Sequence, residues 1–367
     1  MSSFIFFFNF HSFILLPLFI DHLGGNVSTI GLIMGVNGLS MLIVTPLVGV
    51  FVDKWDKRIF LFFGGLLMSL TTLPFAYFDT ITPYFHILRL LQGLAFSLSF
   101  VSAGTLVVDF SPSSKRAQAL GIFGIFSIIN YSIAPYIGNY LVTIYGFKTF
   151  FIFTFVLGLM APFIAIFIKH IKTDKSIILK HEYYAVEWKY LVIIPMFTMF
   201  VLGSGFITTM NFVPIFSKVL GANSLNLFFI SYTSAVLLIR IFGGWIPDKY
   251  GKANVSAPSL LIFAFSIFFL STVVSDIQLI ISGVIFGFGH GILYPSIYAI
   301  IIETMPSHYR GFSFALSSVS FTSGGMIGSF AYGYIGEYFG LSNMFLILSV
   351  VCFTGSLPFI LQRGKNF

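Results

Sequence analysis

The chain has 367 residues, of which 57% are hydrophobic, 19% aromatic and only 8% charged, and its mean hydropathy is +0.98. Soluble domains carry about 25% charged residues, so this composition cannot dress a water-facing surface; it excludes most soluble enzymes and any receptor with a large extramembrane module. The formal net charge of +7 reads as membrane topology rather than nucleic-acid binding, and the single cysteine, Cys352, allows no internal disulfide.

Apolar runs of about 20 residues or more, bounded by charge or turn clusters, predict twelve membrane-spanning helices. They lie near 3–22, 28–52, 59–78, 82–108, 117–145, 147–168, 190–217, 224–247, 253–274, 277–304, 311–336 and 341–361. The first run lacks a basic leader and a small-residue cleavage site, so it is expected to remain as a span. The longest polar stretch, His170 to Trp188, divides the spans six and six. It is expected to be a cytoplasmic linker between an N-terminal bundle, 1–169, and a C-terminal bundle, 189–367.

Orientation follows from where the 19 Lys and Arg fall, because positively charged loops stay cytoplasmic. With both termini inside, fifteen lie on the cytoplasmic side: Lys54, Lys57, Arg58, Lys115, Arg116, Lys169, Lys172, Lys175, Lys180, Lys189, Lys249, Lys252, Arg310, Arg363 and Lys365. Lys148 and Lys218 fall outside, and Arg89 and Arg240 sit within spans. Missing one span would switch every later loop, so the split supports the even count. Trp55, Trp188 and Trp245 fall near the cytoplasmic interface, where amphipathic rings anchor well.

The halves are also related in sequence. Asp109-x-x-Pro112-x-x-x-Arg116 recurs as Glu303-x-x-Pro306-x-x-x-Arg310, displaced by 194, and Gly146 to Gly340 keeps that offset. Gly49-x-x-x-Asp53-Lys54-x-x-Lys57 recurs as Gly244-x-x-x-Asp248-Lys249-x-x-Lys252, displaced by 195, and Pro17 and Gly24 match Pro214 and Gly221, displaced by 197. Six spans per unit is an even number, so both units enter the membrane from the same side and the repeat is parallel.

These residues resemble the major facilitator superfamily over the whole chain. The loop after span 2, Gly49-Val-Phe-Val-Asp53-Lys-Trp-Asp56-Lys57-Arg58, is similar to the superfamily's G-x-x-x-D-x-x-G-R/K-R/K loop, with Asp56 in place of the second glycine. The second copy, Gly244-Trp-Ile-Pro-Asp248-Lys-Tyr-Gly251-Lys252, keeps that glycine, and Arg89-Leu-Leu-Gln92-Gly93 resembles the R-x-x-Q-G element. In span 5, Pro135 and Gly138 are what survives of the G-x-x-x-G-P-x-x-G-G pattern of drug antiporters. That departure weakens a drug–proton antiporter assignment. The resemblance implies an all-α membrane fold of twelve helices in two six-helix bundles and a secondary transporter working by alternating access.

It also implies a gate at the cytoplasmic face. There Asp53 would cap span 11 and Asp248 would cap span 5 across the seam between halves, since helix N-termini carry unpaired N–H groups and partial positive charge. Gly49, Lys57, Arg58, Gly244 and Lys252 belong to the same loops, and Asp109–Arg116 and Glu303–Arg310 are the expected supporting pairs. The alternative is that these are ordinary interfacial charges.

The same resemblance places spans 1, 4, 7 and 10 around the cavity, and each carries polar groups near mid-depth. Span 7 has Ser204, Thr208 and Asn211 on one helical face. Span 10 has His290, Tyr294 and Tyr298; span 4 has His86, Arg89 and Gln92; span 1 has Asn9 and His11, about 200° apart on a helix. Intramembrane ionisable residues face protein or water-filled interior. Arg89 is therefore expected either in the cavity or tied to backbone carbonyls, His290 either as a core imidazole or as a substrate contact or proton carrier, and Arg240 snorkelling to the interface.

All twelve acidic residues lie at span ends or in loops, so no carboxylate meets a cation at mid-membrane, where a lone buried charge is costly. A small anionic or polar neutral organic solute fits better, with protons as a candidate coupling ion and efflux of hydrophobic compounds as the alternative. A membrane sensor or an intramembrane enzyme are minor alternatives. Gly287-Phe-Gly289-His290-Gly291 sits inside an apolar span without a preceding strand and is no dinucleotide loop. No Walker sequence, Cys-x-x-Cys, metal-spaced histidine cluster or nucleophile elbow occurs. The expectation is a non-enzymatic, multi-pass monomer of the cell membrane, with no cofactor, no metal and no nucleic-acid partner, in contact with membrane lipids and a small-molecule substrate.

Overall fold

A computed structural model describes residues 1–52, 54–112, 115–169, 190–218, 224–304 and 310–361. The expected linker therefore lies outside the described residues, as does Asp53. The described residues form helices joined by short loops: α1 (Ser2–His22), α2 (Val27–Val52), α3 (Lys57–Tyr77) and α4 (Tyr84–Phe110). A continuous 51-residue helix follows, Arg116–Ile166. The second half holds α7 (Tyr190–Lys218), α8 (Ser224–Phe242), α9 (Lys252–Ser271), α10 (Asp276–Thr304), α11 (Arg310–Phe339) and α12 (Leu341–Thr354).

At 1.5 Å per residue a 51-residue helix would be about 77 Å long, more than twice the roughly 30 Å hydrocarbon core. It is in fact two spans, α5 (116–145) and α6 (147–166), broken at Gly146, where φ is +79° and ψ is 170°. The corresponding break between α11 and α12 falls at Gly340, with φ +82° and ψ 156°. Both conformations are open to glycine without strain, so the offset of 194 marks the same reversal in each half. The twelve helices form two six-helix bundles related by the parallel repeat. Their aromatic-rich cores include Phe75, Phe85 and Phe151 in one and Phe228, Phe263 and Phe345 in the other.

Pro17 shapes α1. It supplies no backbone N–H to the carbonyl four residues earlier, and the helix tightens there into a 3-10 turn over Phe13–Leu15 before resuming at Leu16. Its repeat partner Pro214 lies inside α7.

The bundles meet along α2 and α11 and along α5 and α8. At Gly31 a Cβ atom would lie 2.4 Å from the Ser329 carbonyl oxygen and 2.8 Å from the Gly333 Cα, so these backbones touch with no side chain between them. The Glu337 carboxylate of α11 accepts hydrogen bonds from Val27 N at 2.8 Å and Ser28 N at 3.4 Å, while the Asn26 side chain accepts from Thr29 N at 2.9 Å. The N-terminus of α2 is thus capped partly from the opposite bundle. Nearby, Lys218 at the end of α7 pairs with Asp21 at the end of α1.

The other end differs. From Val27 to Gly38 no residue of α2 is exposed, but beyond it Leu39, Ile43, Leu47, Val50 and Phe51 all are. A Cβ on Gly49 of α2 or Gly121 of α5 would meet nothing within 4 Å. The bundles are closed at the Asp21–Lys218–Glu337 end and splayed at the end carrying the Gly49 and Gly244 loops.

Candidate functional site

The described gate residues sit at the splayed end, where Lys57, Asp109, Asp248, Lys252 and Glu303 pair inside their own bundles. Lys57 Nζ lies 2.5 Å from Asp109, and Lys252 Nζ lies 2.9 Å from Glu303 and 3.5 Å from Asp248. The expected Asp109–Arg116 pair is not made: Lys57 occupies the Asp109 carboxylate and Arg116 is exposed. Glu303 likewise binds Lys252, and the Arg310 side chain lies outside the described residues. Asp248 makes no hydrogen bond to α5 among the described residues: its carboxylate is exposed and turned to Lys252, because the bundles stand apart there. Asp56, in place of the loop's second glycine, accepts from Arg58 N at 3.0 Å and so caps α3. Arg58 in turn donates to the Ile168 carbonyl at 3.0 Å, tying α3 to the end of α6. The second copy turns at Gly251, where φ is +88°.

The expected cavity residues separate into four places. Asn9 is part of the first bundle's core: it accepts from Thr72 Oγ1 at 3.0 Å and donates to the Thr154 carbonyl at 3.4 Å. Ser204, Thr208 and Asn211 face α11. A Cβ on Gly328 would lie 2.7 Å from both the Ser204 and Thr208 hydroxyls, and Asn211 Nδ2 donates to Ser329 Oγ at 2.8 Å.

Arg89 is 3% exposed. Its guanidinium donates to Gln92 Oε1 at 2.8 Å and to the Ile33 and Met34 carbonyls of α2 at 3.4 Å, and lies over the Phe13 ring at 5.7 Å. Of the two expectations for Arg89, the geometry matches the structural tie: its donors point to its own bundle. Gln92 is fully buried with it.

His11, His290 and Tyr294 come together at the seam. His11 Nδ1 is 2.7 Å from the Phe7 carbonyl; a carbonyl only accepts, so Nδ1 carries the hydrogen and Nε2 is the free acceptor of the neutral ring. The ring packs edge-on against Tyr131 of α5, with centroids 4.0 Å apart. Tyr131 meets Phe206 of α7 at 5.7 Å and Tyr232 of α8 at 5.9 Å, both edge-to-face. Tyr232 Oη is 3.2 Å from His290 Nδ1, His290 stacks on Phe206 at 4.3 Å and 19°, and Tyr294 packs against Phe321 at 5.4 Å. Two histidines and a set of aromatic rings from both bundles thus form one aromatic box.

Tyr131, Tyr232 and Phe206 carry this box, and sequence reasoning passed over all three. Arg240, expected to snorkel, instead reaches over the α5–α8 seam: its Nη1 lies 3.9 Å from where a Gly124 Cβ would stand. Hydrogen bonding could not mark the rings in advance, since Phe206 has none and one tyrosine among 17 carries no positional signal. At the closed end a cavity of about 220 Å³ is lined by Leu18, His22, Asn139, Phe147, Pro214 and Lys218, among others. No cluster of three metal-ligating side chains occurs among the described residues.

Comparison with known proteins places this arrangement. The chain is 25% identical over 347 residues to an uncharacterized MFS-type transporter of Methanocaldococcus jannaschii, covering 90% of this chain and 88% of that protein. It is 28% identical over 358 residues to a multi-drug resistance efflux pump PmrA homolog of Lactococcus lactis, covering 92% and 88%, and 24% identical over 351 residues to the multi-drug resistance efflux pump PmrA of Streptococcus pneumoniae, covering 91% and 87%. Among solved structures, the fold is similar to that of the nucleoside transporter NupG, with a TM-score of 0.80, 15% identity, and coverage of 100% of this chain and 98% of that one. It is also similar to a POT family transporter bound to a conjugated peptide, with a TM-score of 0.77, 15% identity and coverage of 99% and 95%. The family model for the Major Facilitator Superfamily matches residues 1–271 and again 223–365, and with its two bundles and parallel repeat this multi-pass membrane chain belongs to that superfamily of transporters.

Proposed function

We propose that the protein is a secondary transporter of the cell membrane that exports hydrophobic, ring-bearing organic compounds without chemically altering them. The carrying observation is the box of Tyr131, Phe206, Tyr232, His290 and Tyr294, to which both bundles contribute rings. Each well-placed ring contact adds about 0.5–1.5 kcal/mol beyond burial, so a planar solute held between bundles couples binding to their relative position. The names of the PmrA relatives support export. The positive-inside count supports a cytoplasmic position for both termini and for the splayed end, the side from which an exporter takes its cargo. His11 and His290 are the imidazoles of the box, the side-chain type that changes charge nearest neutral pH, and the candidates for proton coupling.

The engagement of the Arg89 guanidinium with Gln92 and α2 favours the aromatic box over a small-anion site built on Arg89. A small polar solute would also leave the rings unused.

The test is uptake into everted vesicles of an efflux-deficient host. A set of ring-bearing compounds should accumulate, and accumulation should collapse with a protonophore. Changing both Tyr131 and Phe206 to Ala should lower uptake about tenfold, the equivalent of two ring contacts. Uptake of sugars, nucleosides or short peptides with the ring-bearing set inert would overturn the proposal.

A further inference from the structure

Arg240 differs from every other basic residue within the spans. Arg89 satisfies its guanidinium through Gln92 and the α2 carbonyls, whereas Arg240 Nε is buried with no hydrogen-bond partner. None of the ion pairs among the described residues includes it. Arg240 stands half-buried in the last turn of α8, at the splayed end, and five donors in a planar fork suit a carboxylate, sulfonate or phosphate. The side chain reaches towards Gly124 on the opposite bundle; Gly124 shares α5 with Tyr131 and Arg240 shares α8 with Tyr232, so the guanidinium stands about two turns along the seam from the aromatic box.

The repeat sharpens the contrast. The position 195 residues earlier is Thr45, whose hydroxyl is satisfied by Ser97 Oγ at 2.9 Å. At this repeat position the cation therefore occurs in the second half alone, on the same seam as the rings, and among the described residues no carboxylate pairs with it.

We propose that Arg240 is an anion subsite, and that the preferred cargo is an amphipathic organic anion whose ring system enters the aromatic box while its acidic group binds the guanidinium. This names the substrate class within the export reading and rests on it for physiological meaning, but the subsite is testable without transport. The absence of a mid-membrane carboxylate fits the same class, since a lipophilic cation would meet Arg240 unopposed.

The experiment measures binding of 2-naphthoate and its neutral isostere 2-naphthamide to the purified full chain in nanodiscs of zwitterionic lipid, by ligand-dependent thermal stability and titration calorimetry. The wild type should bind naphthoate at least about tenfold more tightly than naphthamide, the order expected of a charge-assisted hydrogen bond. Arg240→Gln should erase that preference while keeping the amide affinity, which also reports that the variant is folded. Arg240→Lys should keep part of it. Equal or absent binding of the two probes by the wild type, or a preference surviving in Arg240→Gln, would overturn the subsite. A stabilisation by phosphatidylglycerol discs that disappears in Arg240→Gln, without naphthoate preference, would assign the guanidinium to a lipid headgroup and overturn it too. Naphthoate binding with no vesicle uptake of ring-bearing compounds would sink export and keep the subsite. Uptake without naphthoate preference would do the reverse.

Discussion

The two ends of the molecule use charge in opposite ways. At the splayed end the repeat is kept: Lys57 pairs with Asp109 and Lys252 with Glu303, related by 195 and 194 residues, each inside its own bundle. At the closed end Asp21 and Lys218, related by 197 residues, pair with each other. A position near the pseudo-twofold axis faces its own repeat copy, so a conserved charge would confront itself there, and attraction requires the copies to differ. Away from the axis the same charge pattern serves twice. The lesson is that symmetry in the sequence marks contacts within bundles, and broken symmetry marks contacts between them.

The largest expected effect follows from removing the close approach of α2 and α11. Gly31→Leu or Gly333→Leu puts a side chain where backbone already stands, at about 1–3 kcal/mol for overpacking, and should open the closed end by tenfold or more, read as faster alkylation of a cysteine introduced nearby. Next comes the intra-bundle pair. Lys57→Gln strips the counter-charge from Asp109 and should cost about 1–2 kcal/mol at this partly buried site, seen as a lower apparent melting temperature, with Lys57→Gln/Asp109→Asn recovering part of it. Glu337→Gln removes the charged cap on α2 and should weaken the closed end by about 0.5–1 kcal/mol. The smallest effect belongs to the exposed Asp21–Lys218 pair, about 0.2–1 kcal/mol. Exchanging the two residues should restore what either neutral variant loses, and a failure to do so would show that the pair does not hold the bundles together.

Much of this fold was legible because hydropathy and charge are coarse, additive signals. Twelve spans, the parallel repeat and the reversals at Gly146 and Gly340 all emerged from run length and spacing. The gate was legible only in part: the loops were found, but the pairing depends on which end is closed, and a carboxylate does cap a helix across the seam, from Glu337 to α2 rather than from Asp248 to α5. Cavity polarity was the least legible. Asn9 and Asn211 look identical in sequence whether they face water or a neighbouring helix, because an intramembrane amide is satisfied equally well by Thr154 or Ser329. Arg89 and Arg240 were separable by depth in their spans, but their neighbours, brought from α2 and α5, were not legible.

The most direct test of the account is a pair of distances measured by electron spin resonance in nanodiscs. Labels at exposed Asn26 and Tyr338 report the closed end, and labels at exposed Trp55 and Tyr250 report the splayed end; the native Cys352 is fully buried and should not compete for label. If two bundles rock about one central site, Gly31→Leu should lengthen the first distance and shorten the second together. Lengthening of the first with the second unchanged, or both lengthening, would contradict alternating access between rigid bundles.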